Sequence, residues 1–332
     1  MTVPGGGLTD ERTRKAIEAS DTDELVRIVD GYSEARDWQA LVELRRRCDE
    51  AVTRGKQLWG VAEYVRYRLA LDAPAEWAGP VVTEGPSRFT LGPLPEVAAS
   101  TKSWAELEPY LEPTPERTMV ANERVCRGED LRGIDVGTPV LELPLRLEAW
   151  EPAYPLATYK PDRVEAPSPP RPSFRLEQLD DSSGDVIEDT EATSALVGVV
   201  EHWVTTSNGR AQAVCVEGSV RTAVAALGVR RAGIEEVKPA DALAWIGWAG
   251  ASGGAHARRR GTAVGRFSAW WAAHEIAGLD WPVDPDELGA RISELHWYLW
   301  TDGSPDTGWI LQVAVESPAE GLAWALSAVD AE

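Results

Sequence analysis

Apolar residues recur at helical spacing through the first third of the chain and only in short pieces through the last. From Leu8 to about Arg132 they fall three and four apart, which predicts amphipathic helices throughout. Thr9 is placed to cap a helix over DERTRKAIEAS, and Asp21 or Thr22 to cap the next, with Leu25, Ile28, Val29 and Tyr32 along its apolar face. Asp37 opens a third, striped by Trp38, Leu41, Leu44 and Cys48. After Gly55 a fourth carries Leu58, Ala62, Val65 and Leu69. Short connections between such helices predict antiparallel neighbours, as in an α-hairpin or HEAT-like array, although no fixed repeat period holds. Prolines and glycines crowd Pro74–Pro95 and predict a loop there. Two shorter helices follow, about Trp104–Tyr110 and Pro115–Arg127, and residues 1–7 read as a disordered tail.

The pattern changes at Asp135. Helical spacing stops, prolines dominate to Arg175, and Leu141, Leu143, Leu145 and Leu147 alternate at period two. That predicts one strand, placed at an edge by Pro144. VEAPSPPRPS (164–173) predicts a semi-rigid extended linker. The acidic run LDDSSGDVIEDTE lacks the spacing of a calcium loop and reads as solvated. From Thr193 short helical and strand patterns alternate: a helix Thr193–Thr205, a strand Arg210–Val216, and a turn at Gly218-Ser219 into a helix Val220–Leu227. A further helix starts at Pro239 and carries Ala242, Trp245, Ile246 and Ala249. Beyond it come a helix ending near Gly278 and a short one from Pro285 to Ile292. A hairpin of Leu295–Thr301 with Gly308–Glu316 follows, and Pro318 is placed to open a last helix through Val329. The predicted fold is α+β: an N-terminal all-α array (1–133), a Pro-rich and acidic connector (134–191), and a C-terminal domain (192–332) with a small, mainly antiparallel sheet packed by helices.

Composition narrows the function. The formal charge of −21 argues against general nucleic-acid binding, which needs a basic surface. No apolar run approaches the ~18 residues of a membrane span, and no secretory signal opens the chain, so no membrane partner is expected. Three distant cysteines, Cys48, Cys126 and Cys215, fit a reducing cytoplasm better than a disulfide framework or a zinc knuckle. Most basic residues are arginines, so arginine abundance alone carries little weight. The 15 tryptophans are the unusual item, and they read first as core anchors.

One stretch stands apart. AGASGGAHARRRGTAVGRFSAWW (249–271) holds five glycines, four arginines and a histidine without a single acidic residue. Its glycine turn leads to a predicted helix with Val264, Phe267 and Trp271 on one apolar face. Free N–H groups and guanidinium forks would converge there on an anion. Gly253, Gly254, His256, Arg259 and Arg266 are the candidate ligand-binding residues, for a phosphate- or nucleotide-bearing molecule. The competing reading packs Gly261 and Gly265 against a neighbour and pairs the arginines with carboxylates. Glu217-Gly218-Ser219, a strand–turn–helix, is a second anion candidate. The phosphate-loop, HExxH, CxxC and GxSxG signatures are missing, and His202, His256, His274 and His296 lie in different elements. The sequence therefore names no cofactor, metal or catalytic set and leaves open whether the protein is an enzyme.

GKQLWGVAEYVRYRLALDAPAEWAG (55–79), RFTLGPLPEVAAS (88–100), RVCRGEDL (124–131), GASGGAHARRRGTAVGRFSAWW (250–271) and DTGWILQVAVESPAEGLAWAL (306–326) together resemble an uncharacterised actinobacterial protein family, a domain of unknown function. The resemblance implies no activity. With concave helical surfaces expected and no catalytic signature, the leading expectation is a non-catalytic protein–protein interaction or regulatory scaffold. The alternative is an enzyme or sensor that binds a small anionic ligand at Gly253–Arg266.

Overall fold

The computed structural model describes residues 6–85, 90–179, 185–305 and 307–331, with side chains from residue 11 onward. Residues 1–5 of the tail expected over 1–7, and residues 180–184 of the acidic run, lie outside the described residues; the first helix begins at Gly6, so residues 6 and 7 are helical and Thr9 lies within the helix instead of capping it. The fold is α+β, helices first and then an antiparallel sheet packed by helices. The chain forms two compact units. Unit 1 is Met1–Arg124 with Ile134–Val140 and Thr158–Glu165; unit 2 is Val125–Gly133, Leu141–Ala157 and Ala166–Glu332.

Unit 1 opens with α1 (Gly6–Ala19), α2 (Thr22–Glu34), α3 (Trp38–Thr53) and α4 (Trp59–Asp72). Asp21 and Asp37 each accept a backbone N–H, from Glu24 and Ala40 at 3.0 Å, which satisfies donors that a helix start leaves open. The three predicted apolar stripes are the buried ones, Tyr32 and Trp38 being only half-buried. α4 is the central element, packed against α2, α3, α5 (Ala75–Thr83) and α6 (Leu94–Ala99). Because it is surrounded, α4 buries Arg66 and Arg68 as well as its apolar stripe. Those charges are met by Glu63 for Arg66, and by Asp30 and Asp72 for Arg68.

The expected loop over Pro74–Pro95 contains α5 and the start of α6. Pro74 precedes α5 and Pro95 falls in the first turn of α6, positions where a missing N–H costs a helix nothing. α7 (Trp104–Leu107) starts from a capping box of Ser103 and Glu106. A 3₁₀ turn (Glu108–Tyr110) and α8 (Pro115–Cys126) follow. β1 (Thr158–Tyr159) pairs antiparallel with β2 (Val164–Glu165).

Unit 2 is built on one antiparallel sheet. Its strands are β3 (Glu177–Gln178), β4 (Val186–Ile187), β5 (Arg210–Glu217), β6 (Arg231–Val237), β7 (His296–Thr301), β8 (Trp309–Ser317) and β9 (Leu322–Asp330), in the order β3-β6-β7-β8-β9-β5-β4. One face is covered by α9 (Thr190–Val199), α12 (Pro239–Ala251), α13 (Thr262–Ala277) and α14 (Pro285–Glu294), around a core that includes Trp203, Trp270, Trp297 and Trp324. α11 (Val220–Ala226) covers part of the other face, over Ala314, Ala323 and Ala325. α9 stops at Val199 and α10 (Glu201–Thr205) restarts, so the single helix expected there is two.

Two further expectations are corrected, and one strand is found where none was expected. The last helix, expected from Pro318, is β9. LAWALSAVD reads as helical because it is rich in Ala and Leu. It lies between β8 and β5 with both faces covered, and such a strand shows a continuous apolar run rather than alternation. The strand expected over Leu141–Leu147 does not form. The carbonyls of Pro144 and Arg146, which a ladder would use, accept instead from Arg266 at 2.9 and 2.8 Å. β6 had no sequence signal, since RAGIEEV places Gly233 and two glutamates in a strand. Gly233 is required because a Cβ there would stand 2.7 Å from that of Phe174.

Candidate functional site

The sequence marks two stretches of unit 2 as anion candidates, the first divides in the structure into two places, and a carboxylate of the chain itself stands at all three. The first is the glycine turn between α12 and α13. Gly254 has φ +71°, and a Cβ on it would lie 2.0 Å from Oδ2 of Asp330. That oxygen accepts the backbone N–H of Ala255 at 2.7 Å, and Oδ1 accepts from the Ser207 hydroxyl at 3.0 Å and the Asn208 amide at 2.8 Å. A Cβ on Gly253 would meet the carbonyl oxygens of Ala257 and Arg258 at 2.3 and 2.2 Å, so the turn closes on itself. Asp330 is the last residue of β9 and fully buried. The turn is thus closed by a carboxyl group that the sheet supplies.

Arg266 is the second. Its side chain and that of Glu151 are both at 0% exposure, joined by Nε to Oε2 at 2.7 Å and Nη2 to Oε1 at 2.8 Å. Glu151 also accepts from the Trp270 indole (2.8 Å), the Tyr154 hydroxyl (3.0 Å) and the Glu148 backbone (2.9 Å). Burial opposes the charge on Arg266, but the paired carboxylate outweighs it and holds the pKa above the ordinary arginine value. Burial, and then Glu151, push the Tyr154 hydroxyl well above the ordinary tyrosine range. This is a closed, fully hydrogen-bonded ion pair.

The third is the start of α11 after Glu217-Gly218-Ser219, where the Val220 N–H donates to Oε2 of Glu316 at 2.8 Å.

The remaining sequence candidates do not converge with Arg266. α13 begins only at Thr262, after Gly261 at φ +106°, so the seven-residue spacing of Arg259 and Arg266 is not a helical one. Arg259 is half-buried and donates to the Thr262 hydroxyl at 3.1 Å; His256 is exposed. Gly265 follows the packing reading, since a Cβ on it would lie 2.1 Å from the Gly247 carbonyl on α12. Its α13 neighbours Val264, Phe267 and Trp271 stay half-buried, and the deeply buried face carries Ala263, Arg266, Trp270 and Ala273. Arg260 differs from its neighbours. It is half-buried, makes no side-chain hydrogen bond or ion pair among the described residues, and burial lowers its pKa despite Glu201. The nearby His202 has a buried Nδ1 without a partner, and its pKa is lowered by burial and then by Arg260.

Unit 1 holds what the sequence did not point to: a groove of about 950 Å³. The ends of α2 and α4 and the segment Thr101–Tyr110 form its walls. Trp38 and Tyr110 supply aromatic surface, and the exposed Glu34 and Arg36 supply charge. Arg68, at its wall, is held by Asp72 at 2.6 Å and by Asp30. Lys102 is buried, with its ammonium donating to the carbonyls of Ala70 and Leu71 (2.8 and 3.1 Å) and to the Thr101 hydroxyl (2.9 Å). It therefore caps the end of α4, where carbonyls lack helical partners. Burial lowers its pKa to about 8. No spacing in the sequence announces this groove, because its residues come from separate helix ends. Among the described residues no group of three or more His, Cys, Asp and Glu is placed to hold a metal, and no helix is long and apolar enough to cross a membrane.

No curated protein and no solved structure matches the chain. A family model, described as a family of unknown function, matches residues 23–332 and so spans every element from α2 to β9. The groove, the glycine turn and the buried ion pair all lie inside that match, and the chain belongs to this family of unknown function, DUF6183.

Proposed function

We propose that the protein is a non-catalytic, cytoplasmic interaction module and that the groove of unit 1 receives an extended segment of a partner polypeptide. The observation that carries this reading is the groove's lining. Its aromatic and charged rim residues, Trp38, Tyr110, Glu34 and Arg36, face solvent at least in part, while the groups that would be reactive are engaged. Lys102 gives its three protons to α4 and Thr101, and Arg68 is held by Asp30 and Asp72. Aromatic anchors beside charges of both signs suit a peptide better than a small polyanion. Cys48, Cys126 and Cys215 are buried and form no disulfide, which supports a reducing compartment. The test is a peptide selected from a random display library against the whole chain, then titrated into wild type and Trp38→Ala. Loss of ~10-fold or more in affinity at an unchanged melting temperature supports the groove; equal affinity overturns it.

A second reading is favoured by Arg260 alone. A desolvated guanidinium with no carboxylate bound to it, beside the unpartnered Nδ1 of His202, supports a small oxyanion at the edge of the glycine turn. This keeps the anionic-ligand expectation and moves it away from Arg266. Inorganic phosphate should raise the melting temperature of wild type and not of Arg260→Ala; no rise in wild type removes this reading.

A further inference from the structure

Residues 166–172, APSPPRP, are an extended segment by construction. Each proline fixes its own φ near −65°, and each residue before a proline is pushed out of the helical region. Alternating residues of this kind form the left-handed polyproline helix, whose carbonyls stay open because it has no internal hydrogen bonds. The segment lies on the outer turns of α12. There the Trp248 indole donates to the Ala166 carbonyl at 3.3 Å, and the Trp245 indole to the Pro170 carbonyl at 3.2 Å. Arg171 stacks on Trp245, with its Cζ 4.7 Å from the ring centroid, and donates to the Ile310 carbonyl at 3.2 Å. Behind these rings Trp248 stacks on Trp309 at 4.9 Å, so the surface is a rigid aromatic step.

Indole donors spaced to meet polyproline carbonyls, with an aromatic face for an arginine, are the chemistry by which proline-rich peptides are recognised between proteins. Here the ligand is part of the same chain. It fits with gaps. An open cleft of about 320 Å³ adjoins the segment between Pro169, Trp245 and Gly308, and another of about 560 Å³ between Pro170, Pro155 and Ala244. The segment carries no ladder hydrogen bonds, and Pro167, Ser168 and Pro170 are exposed.

We infer that the Trp245–Trp248 step of α12 is a binding site for a proline-rich, arginine-bearing peptide of another protein, and that residues 166–172 occupy it as an exchangeable internal competitor. The surface lies wholly in unit 2 and does not depend on the groove of unit 1. Tethering gives the internal segment an effective concentration on the order of millimolar, so an external peptide gains the site only when the segment is displaced or weakened.

The experiment uses the full chain carrying Pro169→Gly and Pro170→Gly, which removes the preformed extended backbone, and a fluorescein-labelled synthetic peptide APSPPRPS. The labelled peptide should bind this variant at least ~10-fold more tightly than wild type, as tethered competition requires. Adding Trp245→Phe, which keeps the ring and removes the N–H, should weaken that binding again. A folded variant that binds no better than wild type, or binding indifferent to Trp245→Phe, overturns the site. Should the double-glycine chain fail to fold, ¹⁵N-labelled wild type is titrated with unlabelled peptide in the millimolar range. Movement of the Trp245 and Trp248 indole signals supports the site, and stationary signals overturn it.

Discussion

The positive groups of unit 2 and those of unit 1 show opposite uses of the same residue types. In unit 2 Arg266 and Glu151 are sealed at zero exposure, and Asp330 and Glu316 fill a glycine turn and a helix start. In unit 1 the carboxylates that hold Arg68 stay partly exposed, Asp30 at 40% and Asp72, which lines the open groove, at 29%. A chain with net charge −21 has carboxylates to spare, and in unit 2 it spends them on its own anion seats. The same geometry that elsewhere recruits a ligand here joins the glycine turn to β9 and α13 to the segment around Glu151. A positive motif in an acidic protein is therefore to be judged by which carboxylate reaches it.

The comparison breaks most readily at the sealed pair. Glu151→Ala leaves a buried guanidinium, the Trp270 indole and the Tyr154 hydroxyl without their acceptor. It should cost about 3–5 kcal/mol in denaturant unfolding, the usual price of breaking a buried ion pair from one side. A loss under about 1 kcal/mol would mean that water reaches the pair and that unit 2 is less closed than described.

Next comes the α12–α13 contact. Gly265→Leu drives a side chain into the Gly247 carbonyl and Ala251, so overpacking of about 1–3 kcal/mol is expected, read as a lower melting temperature. An unchanged melting temperature would place α13 farther from α12 than the 2.1 Å approach requires.

A pH dependence separates the groove wall from the core. The Lys102 pKa falls from 10.5 to about 8 on folding, so between these values the unfolded chain holds more protons than the folded one. Stability should then rise with pH from about 8 to 10.5, relative to a Lys102→Met variant measured in parallel. The difference between the two chains cancels the opposite drift from buried thiols such as Cys48, whose pKa burial raises to about 12. Parallel pH profiles for the two proteins would show that Lys102 is solvated.

The sequence pattern carries the fold class and most of unit 1, because α2 and α3 each bury one stripe and solvate the other side, and α4 keeps its stripe within a helix buried on nearly every side. It fails where burial erases the stripe. β9 is apolar on both faces and looks helical, and β6 is polar at a strand position near the sheet edge. α5 and α6 hide among prolines, of which Pro74 and Pro95 sit at helix starts and Pro80 inside α5. The candidate site fails for a different reason. Gly253, Gly254 and Arg266 read from the sequence as a site for an external anion, whereas the groups that face Gly254 and Arg266 in the structure, Asp330 and Glu151, lie 76 and 115 positions away from them. Only the tertiary fold brings them together. The groove was illegible because Arg36, Arg68 and Lys102 share no element and no spacing.

If open charges mark the interaction surface and sealed charges hold the fold, affinity and stability must respond at different places. The most direct test is calorimetric titration of a groove-selected peptide into wild type, Arg36→Glu and Gly265→Leu, with each chain's melting temperature measured alongside. Arg36→Glu should weaken the peptide by ~10-fold or more, about 1.4 kcal/mol, and leave the melting temperature alone, while Gly265→Leu should lower the melting temperature and leave the affinity of the folded chain alone. Peptide affinity that follows Gly265→Leu and ignores Arg36→Glu would contradict the account.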